Sequence, residues 1–152
     1  MSPRCCLFVS AVSGFLAVAL GAFGAHGLKG SDGSGFLETK YGGMESKNIA
    51  GHQVPASYKY LKDFETGVEY HMTHALAMGL VGVLLLRQRS KLLNVSACCF
   101  LCGSVFFSGS LYILVIGGPR WIGVPWGAIT PVGGILLLAG WACLAVGAIR
   151  TS

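Results

Sequence analysis

The sequence predicts an all-α protein: a four-helix transmembrane bundle, antiparallel and up-down, with an amphipathic interfacial segment before the second span. Three observations carry this. Four stretches, 5–28, 70–86, 92–119 and 121–149, contain no Lys, Arg, Asp or Glu, and together they make up 98 of the 152 residues. A helix needs about 20 mainly apolar residues to cross a hydrocarbon core of ~30 Å, with about 17 as the lower limit, and charged side chains in lipid are costly. Hydrophobic residues make up 53% of the chain, more than an ordinary soluble domain carries. Glycine is abundant, with 23 copies, and in membrane helices glycine lets backbones approach closely. The spans are placed at about 5–28, 69–86, 92–117 and 130–149, with a polar loop at 29–68. Four helices of this length leave no room for a second core, so 1–152 is read as a single integral membrane domain.

The first span carries Ala17, Gly21, Gly24 and Gly27, a small-residue surface on which another helix packs. Its start looks like a secretory signal, with Arg4, an apolar run at 7–20 and the small residues Ala22 and Gly24 around Phe23. The apolar run continues to Leu28, however, long enough to span, so the helix is expected to be kept. Residues 30–56 are polar and rich in Gly, Ser and Lys, and read as a flexible loop. Ser57 then precedes Tyr60, Leu61, Phe64, Val68 and His71, the spacing of an amphipathic helix at the membrane surface. Its continuation into the second span explains how a charge-free stretch of only 17 residues crosses. The second span ends at Arg87. The third begins near Leu92 and exits at Gly117-Gly118-Pro119, a turn signal. Trp121 and Trp126 mark an interfacial segment. Thr130 is then placed as an N-cap, Pro131 as the first helical position, and Arg150 closes the last span.

All six acids, Asp32, Glu38, Glu45, Asp63, Glu65 and Glu69, fall between 29 and 69. The opposite side carries Arg4, Arg87, Arg89, Lys91 and Arg150 with no acid. Lys and Arg in short loops mark the cytoplasmic side, so both termini are expected there, with the Arg87–Lys91 hairpin as the main signal. Despite a net charge of +5, no basic run with interleaved aromatics is present, and nucleic acid is not an expected partner. Of the six cysteines, Cys5, Cys6, Cys98, Cys99, Cys102 and Cys143, none lies in the large loop, so an extracytoplasmic disulfide framework is not expected. Cys99 and Cys102 form a C-x2-C inside a span and read as small packing residues.

The antiparallel order of the spans brings the polar side chains of all four helices into one leaflet half, whichever way the protein faces. His26 ends the first span. Glu69, His71 and His74 begin the second, Ser108, Ser110 and Tyr112 lie late in the third, and Thr130 begins the fourth. His71 and His74 stand three residues apart, a spacing that suits two ligands to one group, although structural hydrogen bonding is the commoner role of an interfacial histidine. His26, among small neighbours, is expected to hydrogen-bond to the second or fourth span. His26, Glu69, His71, His74, Ser108, Tyr112 and Thr130 are the ligand-binding candidates. No catalytic residue, cofactor or metal site is assigned.

Four segments resemble the transmembrane protein 256-like family, small membrane proteins with a domain of unknown function. They are 21–28 (GAFGAHGL), 65–76 (ETGVEYHMTHAL), 107–112 (FSGSLY), and 129–134 (ITPVGG) with Gly140 and Trp141 after it. The resemblance covers nearly the whole chain and implies a four-helix integral membrane protein with no established activity. The loop at about 30–58 is longer than the family usually carries and is expected to be an insertion of little functional weight. The reading is a non-enzymatic structural or assembly component whose partners are the lipid bilayer and a membrane protein or a second copy. The alternative is a binding protein holding a lipid headgroup, metal or haem at the histidine cluster. A bacterial inner membrane is favoured over a mitochondrial one, because the short N-terminus lacks an Arg-rich amphipathic transit segment.

Overall fold

The computed structural model describes residues 1–29 and 35–149; Asp32 and Arg150 lie outside the described residues. Among the described residues, four helices are long and apolar enough to cross a membrane, as the charge-free stretches predict. The first is α1, Pro3–Phe23, continued by a π turn over Gly24–Leu28. Ser2 caps it by accepting from the Cys5 amide, and Pro3 occupies the first turn, where a missing N–H costs nothing. The third helix in chain order, α3, spans Ala56–Arg87 without a break. Its 32 residues extend about 48 Å, well beyond a ~30 Å core, so the amphipathic segment and the second span are one rod. Then follow α4, Lys91–Ile116, capped by Ser90, and α5, Trp126–Ile149.

The start of α5 corrects the cap placed at Thr130. The helix begins at Trp126, directly after Pro125, and Pro131 sits inside it. Proline there removes one backbone donor, and Thr130 uses its hydroxyl on α4 instead of on its own helix end.

The loop is also more ordered than its composition suggests. It holds a short helix, α2 (Phe36–Tyr41), and a two-stranded hairpin of β1 (Lys47–Ile49) and β2 (His52–Val54). The hairpin turns through Ala50 and Gly51, both at positive φ, which suits a tight two-residue connection. Leu37 and Tyr41 are buried against Tyr60, Leu61, Phe64, Leu114 and Val115. Tyr41 stacks on Tyr60 with ring centroids 4.0 Å apart and donates its hydroxyl to the Val115 carbonyl at 2.8 Å. Lys40 donates to the Ile116 carbonyl. The last carbonyls of a helix lack internal donors, and this loop supplies them for α4.

Burial, with Tyr60 beside it, pushes the Tyr41 hydroxyl up to about 12. Folding thus favours the protonated form, the one that donates. This contribution is complete below the unfolded value of ~10 and is lost as pH rises through about 12. Tyr41→Phe is expected to cost about 1 kcal/mol and to speed amide exchange across 36–41. In the wild type the same acceleration should appear only in that alkaline window.

The long helices form a row: α1 packs along α3, α3 along α4 and α4 along α5, while α3 meets α5 over a narrower contact. Lipid gives apolar faces no reason to leave it, so helices associate through close packing and interhelical hydrogen bonds. Both are present. Between α1 and α3, Ser10 donates to the Ala75 carbonyl at 2.8 Å, and added Cβ atoms at Gly79 and Gly82 would meet Ser10 and Leu7. Between α4 and α5, Gly133, Gly140 and Gly147 repeat every seven residues on the buried face of α5. They lie against Phe107, Phe100 and Leu93 of α4, and Ser96 donates to the Gly140 carbonyl at 2.8 Å.

Candidate functional site

The polar side chains do meet in one half of the bundle, but they divide between two clefts. The first lies between α1 and α4 and has α3 behind it. It has a volume of about 410 Å³, apolar walls that include Val9, Leu16 and Val105, and His71, Tyr112 and Ser108 among its lining residues. His71 Nε2 is 2.9 Å from Ser13 Oγ of α1, and Nδ1 is 3.2 Å from the Tyr112 hydroxyl of α4. Both ring nitrogens are engaged, and the imidazole bridges two helices that do not pack along each other. Gly67 makes room for this arrangement, because a Cβ there would stand 3.0 Å from the Tyr112 ring. Ser108 lines the same cleft. Its Oγ is buried and has no hydrogen-bond partner among the described residues. A hydroxyl without a partner in an apolar setting carries a desolvation cost.

The second cleft lies between α3 and α5 and has Phe107 of α4 in its wall. Its volume is about 650 Å³. His74 is among its lining residues and is 5% exposed. The Trp141 indole N–H donates to His74 Nε2 at 3.1 Å, and His74 Nδ1 is 2.7 Å from the Tyr70 carbonyl. An indole N–H can only donate and a carbonyl can only accept. His74 is therefore the neutral tautomer with its proton on Nδ1, and neither nitrogen is free to take a ligand. Glu69 and Thr73, one turn apart, stand exposed along the cleft.

This geometry separates residues that the sequence grouped. His71 and His74 do not converge, because one ring turns to α1 and α4 and the other to α5. Among the described residues no three His, Cys, Asp or Glu side chains gather to hold a metal ion. His26 sits exposed in the π turn and its side chain makes no hydrogen bond among the described residues, so the bond expected to the second or fourth span is not formed. Ser110 donates to the Phe107 carbonyl at 2.9 Å and, with its one proton committed there, accepts from Thr130 at 2.8 Å. That pair joins α4 to α5 and lines neither cleft. Ser13 and Trp141, which complete the two histidine sites, were not among the sequence candidates. Ser13 offered only the spacing of Ser10 and Ser13 on one helix face, and Trp141 only its place near the end of the last resembling segment.

Residues 20–134 match the family model described as "Protein of unknown function (DUF423)". The chain is 38% identical over 150 residues to the UPF0382 inner membrane protein YgdD of Escherichia coli, covering 99% of this chain and 93% of that one. It is 36% identical over 146 residues to the UPF0382 membrane protein YwdK of Bacillus subtilis, covering 95% of each. A UPF0382 membrane protein of Haemophilus influenzae is 38% identical over 145 residues, covering 95% of this chain and 94% of that one. No solved structure matches.

Proposed function

The chain belongs to the DUF423 family of membrane proteins, and we propose that it is a non-enzymatic assembly component that receives another transmembrane helix in the α1–α4 cleft. One observation carries this: Ser108 lines a cleft open between two helices, and its buried hydroxyl has no hydrogen-bond partner among the described residues. The surroundings suit a close-packed helix. Ser104 and Ser108 form a small-xxx-small pair on α4, Gly109 follows, and a Cβ added at Gly109 meets nothing within 4 Å. With the Ser108 side chain turned toward the cleft, an incoming backbone carbonyl would give its hydroxyl an acceptor. A non-enzymatic role is supported by the two histidines, whose ring nitrogens are all engaged.

The named relatives support a bacterial inner membrane, because the Escherichia coli protein is called an inner membrane protein. The cations Arg4, Arg87, Arg89 and Lys91 gather at one end of the row, where the Met1 amino group donates to Asn94, and by the positive-inside rule this supports a cytoplasmic placement of that end. Kinship with the transmembrane protein 256-like proteins is part of the same proposal and rests on the four ordered segments.

The test is recovery of tagged protein from its native membrane in mild detergent. The wild type is expected to bring down a stoichiometric membrane-protein partner or a second copy. Gly109→Leu, which fills the cleft from an open position, is expected to lose most of it while keeping its helix content. Wild-type protein recovered alone, or a Gly109→Leu variant that keeps its partner, would sink the proposal. The second reading, a small ligand in the same cleft, has the Ser13–His71–Tyr112 chain in its favour. Three protons serve two hydrogen bonds there, so one donor is left over. A small molecule that co-purifies with the wild type and is lost in His71→Ala would favour that reading.

A further inference from the structure

We infer that the α3–α5 cleft is a site for one phospholipid with a primary ammonium headgroup. The site is separate from the α1–α4 cleft and owes nothing to the role proposed for it. Depth is the first argument. Along α3, Glu69 stands 18 residues from Arg87, about 27 Å at 1.5 Å per residue, which puts it at the far boundary of a ~30 Å core. Along α5 the cleft runs from Pro131 to Trp141, about 15 Å. Along α5 it is therefore as deep as one leaflet: it begins where headgroups lie and ends at Trp141, whose indole reaches His74, about 7.5 Å below Glu69 along α3.

The lining is the second argument. Below Glu69 the walls are Phe107, Ile135, Leu137 and Leu138, suited to an acyl chain, and the volume of about 650 Å³ falls within the usual range for ligand sites. The polar groups that line it below Glu69, His74 and Trp141, are bonded to each other and present no unmet demand to an apolar tail.

Charge is the third. Lys29 and Lys62 both pair with Glu65, and Lys59 with Asp63, but Glu69 has no cation among the described residues. A carboxylate at the mouth of an apolar, leaflet-deep cleft selects an amphiphile with a cationic head. A primary ammonium adds N–H donors that a quaternary one lacks. Thr73, one turn below, is placed to donate to an ester oxygen.

The experiment incorporates the protein into bilayers of equal parts phosphatidylethanolamine, phosphatidylglycerol and phosphatidylcholine, extracts it in mild detergent and counts retained lipid by native mass spectrometry. One phosphatidylethanolamine per chain is expected, favoured about tenfold over either other lipid, the low end for one hydrogen bond to a charged group. Glu69→Gln should abolish the preference. Gly134→Leu should remove retained lipid of every class, because Gly134 lines the cleft and an added Cβ would make only ordinary contact with Phe107, at 3.8 Å. Helix content and elution volume report that both variants fold. Equal retention of the three lipids by the wild type, or a preference unchanged in Glu69→Gln, would overturn the site. Retention of phosphatidylcholine equal to phosphatidylethanolamine would overturn the choice of a primary ammonium.

Discussion

Gly133→Ala is expected to destabilise the protein by about 3 kcal/mol, whereas Gly134→Ala is expected to leave stability unchanged or raise it by up to about 1 kcal/mol. The two glycines are neighbours, and propensity alone favours alanine at both by up to about 1 kcal/mol. Their surroundings differ. A Cβ on Gly133 would stand 2.3 Å from the Phe107 amide nitrogen and 2.7 Å from its Cα. These are backbone atoms in mid-helix, which cannot swing aside as a side chain can. The α4–α5 seam must open, and with it go the contacts at Gly140 and Gly147 one and two heptads along and the Ser96 bond to the Gly140 carbonyl. A Cβ on Gly134 would meet the Phe107 ring at 3.8 Å, an ordinary contact. Unfolding of each variant in detergent, followed by circular dichroism, measures both. Equal stability of Gly133→Ala and wild type would mean that the helices are not this close.

The number of the long apolar helices was legible because lipid imposes a cost on charge that sequence displays directly. The continuity of α3 was legible for a similar reason: Tyr60, Phe64, Val68 and His71 keep helical spacing through the charged stretch into the apolar one. What escaped was non-local. Nothing near Tyr41 announces that its acceptor is the carbonyl of Val115, 74 residues away, so the loop read as unstructured. Thr130-Pro131 has good cap chemistry, but Pro125 lies five residues earlier and the helix starts there. The loop is also less incidental than an insertion, since it supplies donors to the end of α4.

The candidate site was legible as a region and not as an arrangement. Antiparallel spans force the polar ends into the same half of the bundle, and that inference needs no side-chain geometry. Whether His71 and His74 share a partner does need it. Three residues along a helix leave the two side chains about 60° apart, close enough to face one ligand or to straddle a packing seam. In this row they straddle it. Ser13 on one side and Trp141 on the other decide which way each ring turns, and neither residue type at those positions signals that role.

Trp141→Phe and His74→Leu are expected to destabilise the protein individually, and the double variant by less than their sum. The Trp141–His74 bond links α3 to α5, two helices that otherwise meet over a short stretch. Removing the indole N–H leaves His74 Nε2 as a buried acceptor in a setting where water does not reach, at about 1–3 kcal/mol. Removing the imidazole leaves the indole donor unmet and also loses ring contacts: His74 stacks on Tyr70 at 5.8 Å and tilts against Phe100 at 5.6 Å. Hydrogen bonds between membrane helices couple by about 0.6 kcal/mol on average and up to about 1.7. This one is placed toward the upper end, because each group has its remaining valence fixed: Trp141 has no second donor, and His74 Nδ1 is held by the Tyr70 carbonyl. A double-mutant cycle on unfolding in detergent gives the coupling. Nitrogen NMR of the His74 ring gives an independent reading, with the proton on Nδ1 in the wild type. A proton found on Nε2, or a coupling of zero, would mean that the two rings only touch. The lining of the α3–α5 cleft below Glu69 would then be polar and unsatisfied, and a hydrophobic tail would no longer be its natural occupant.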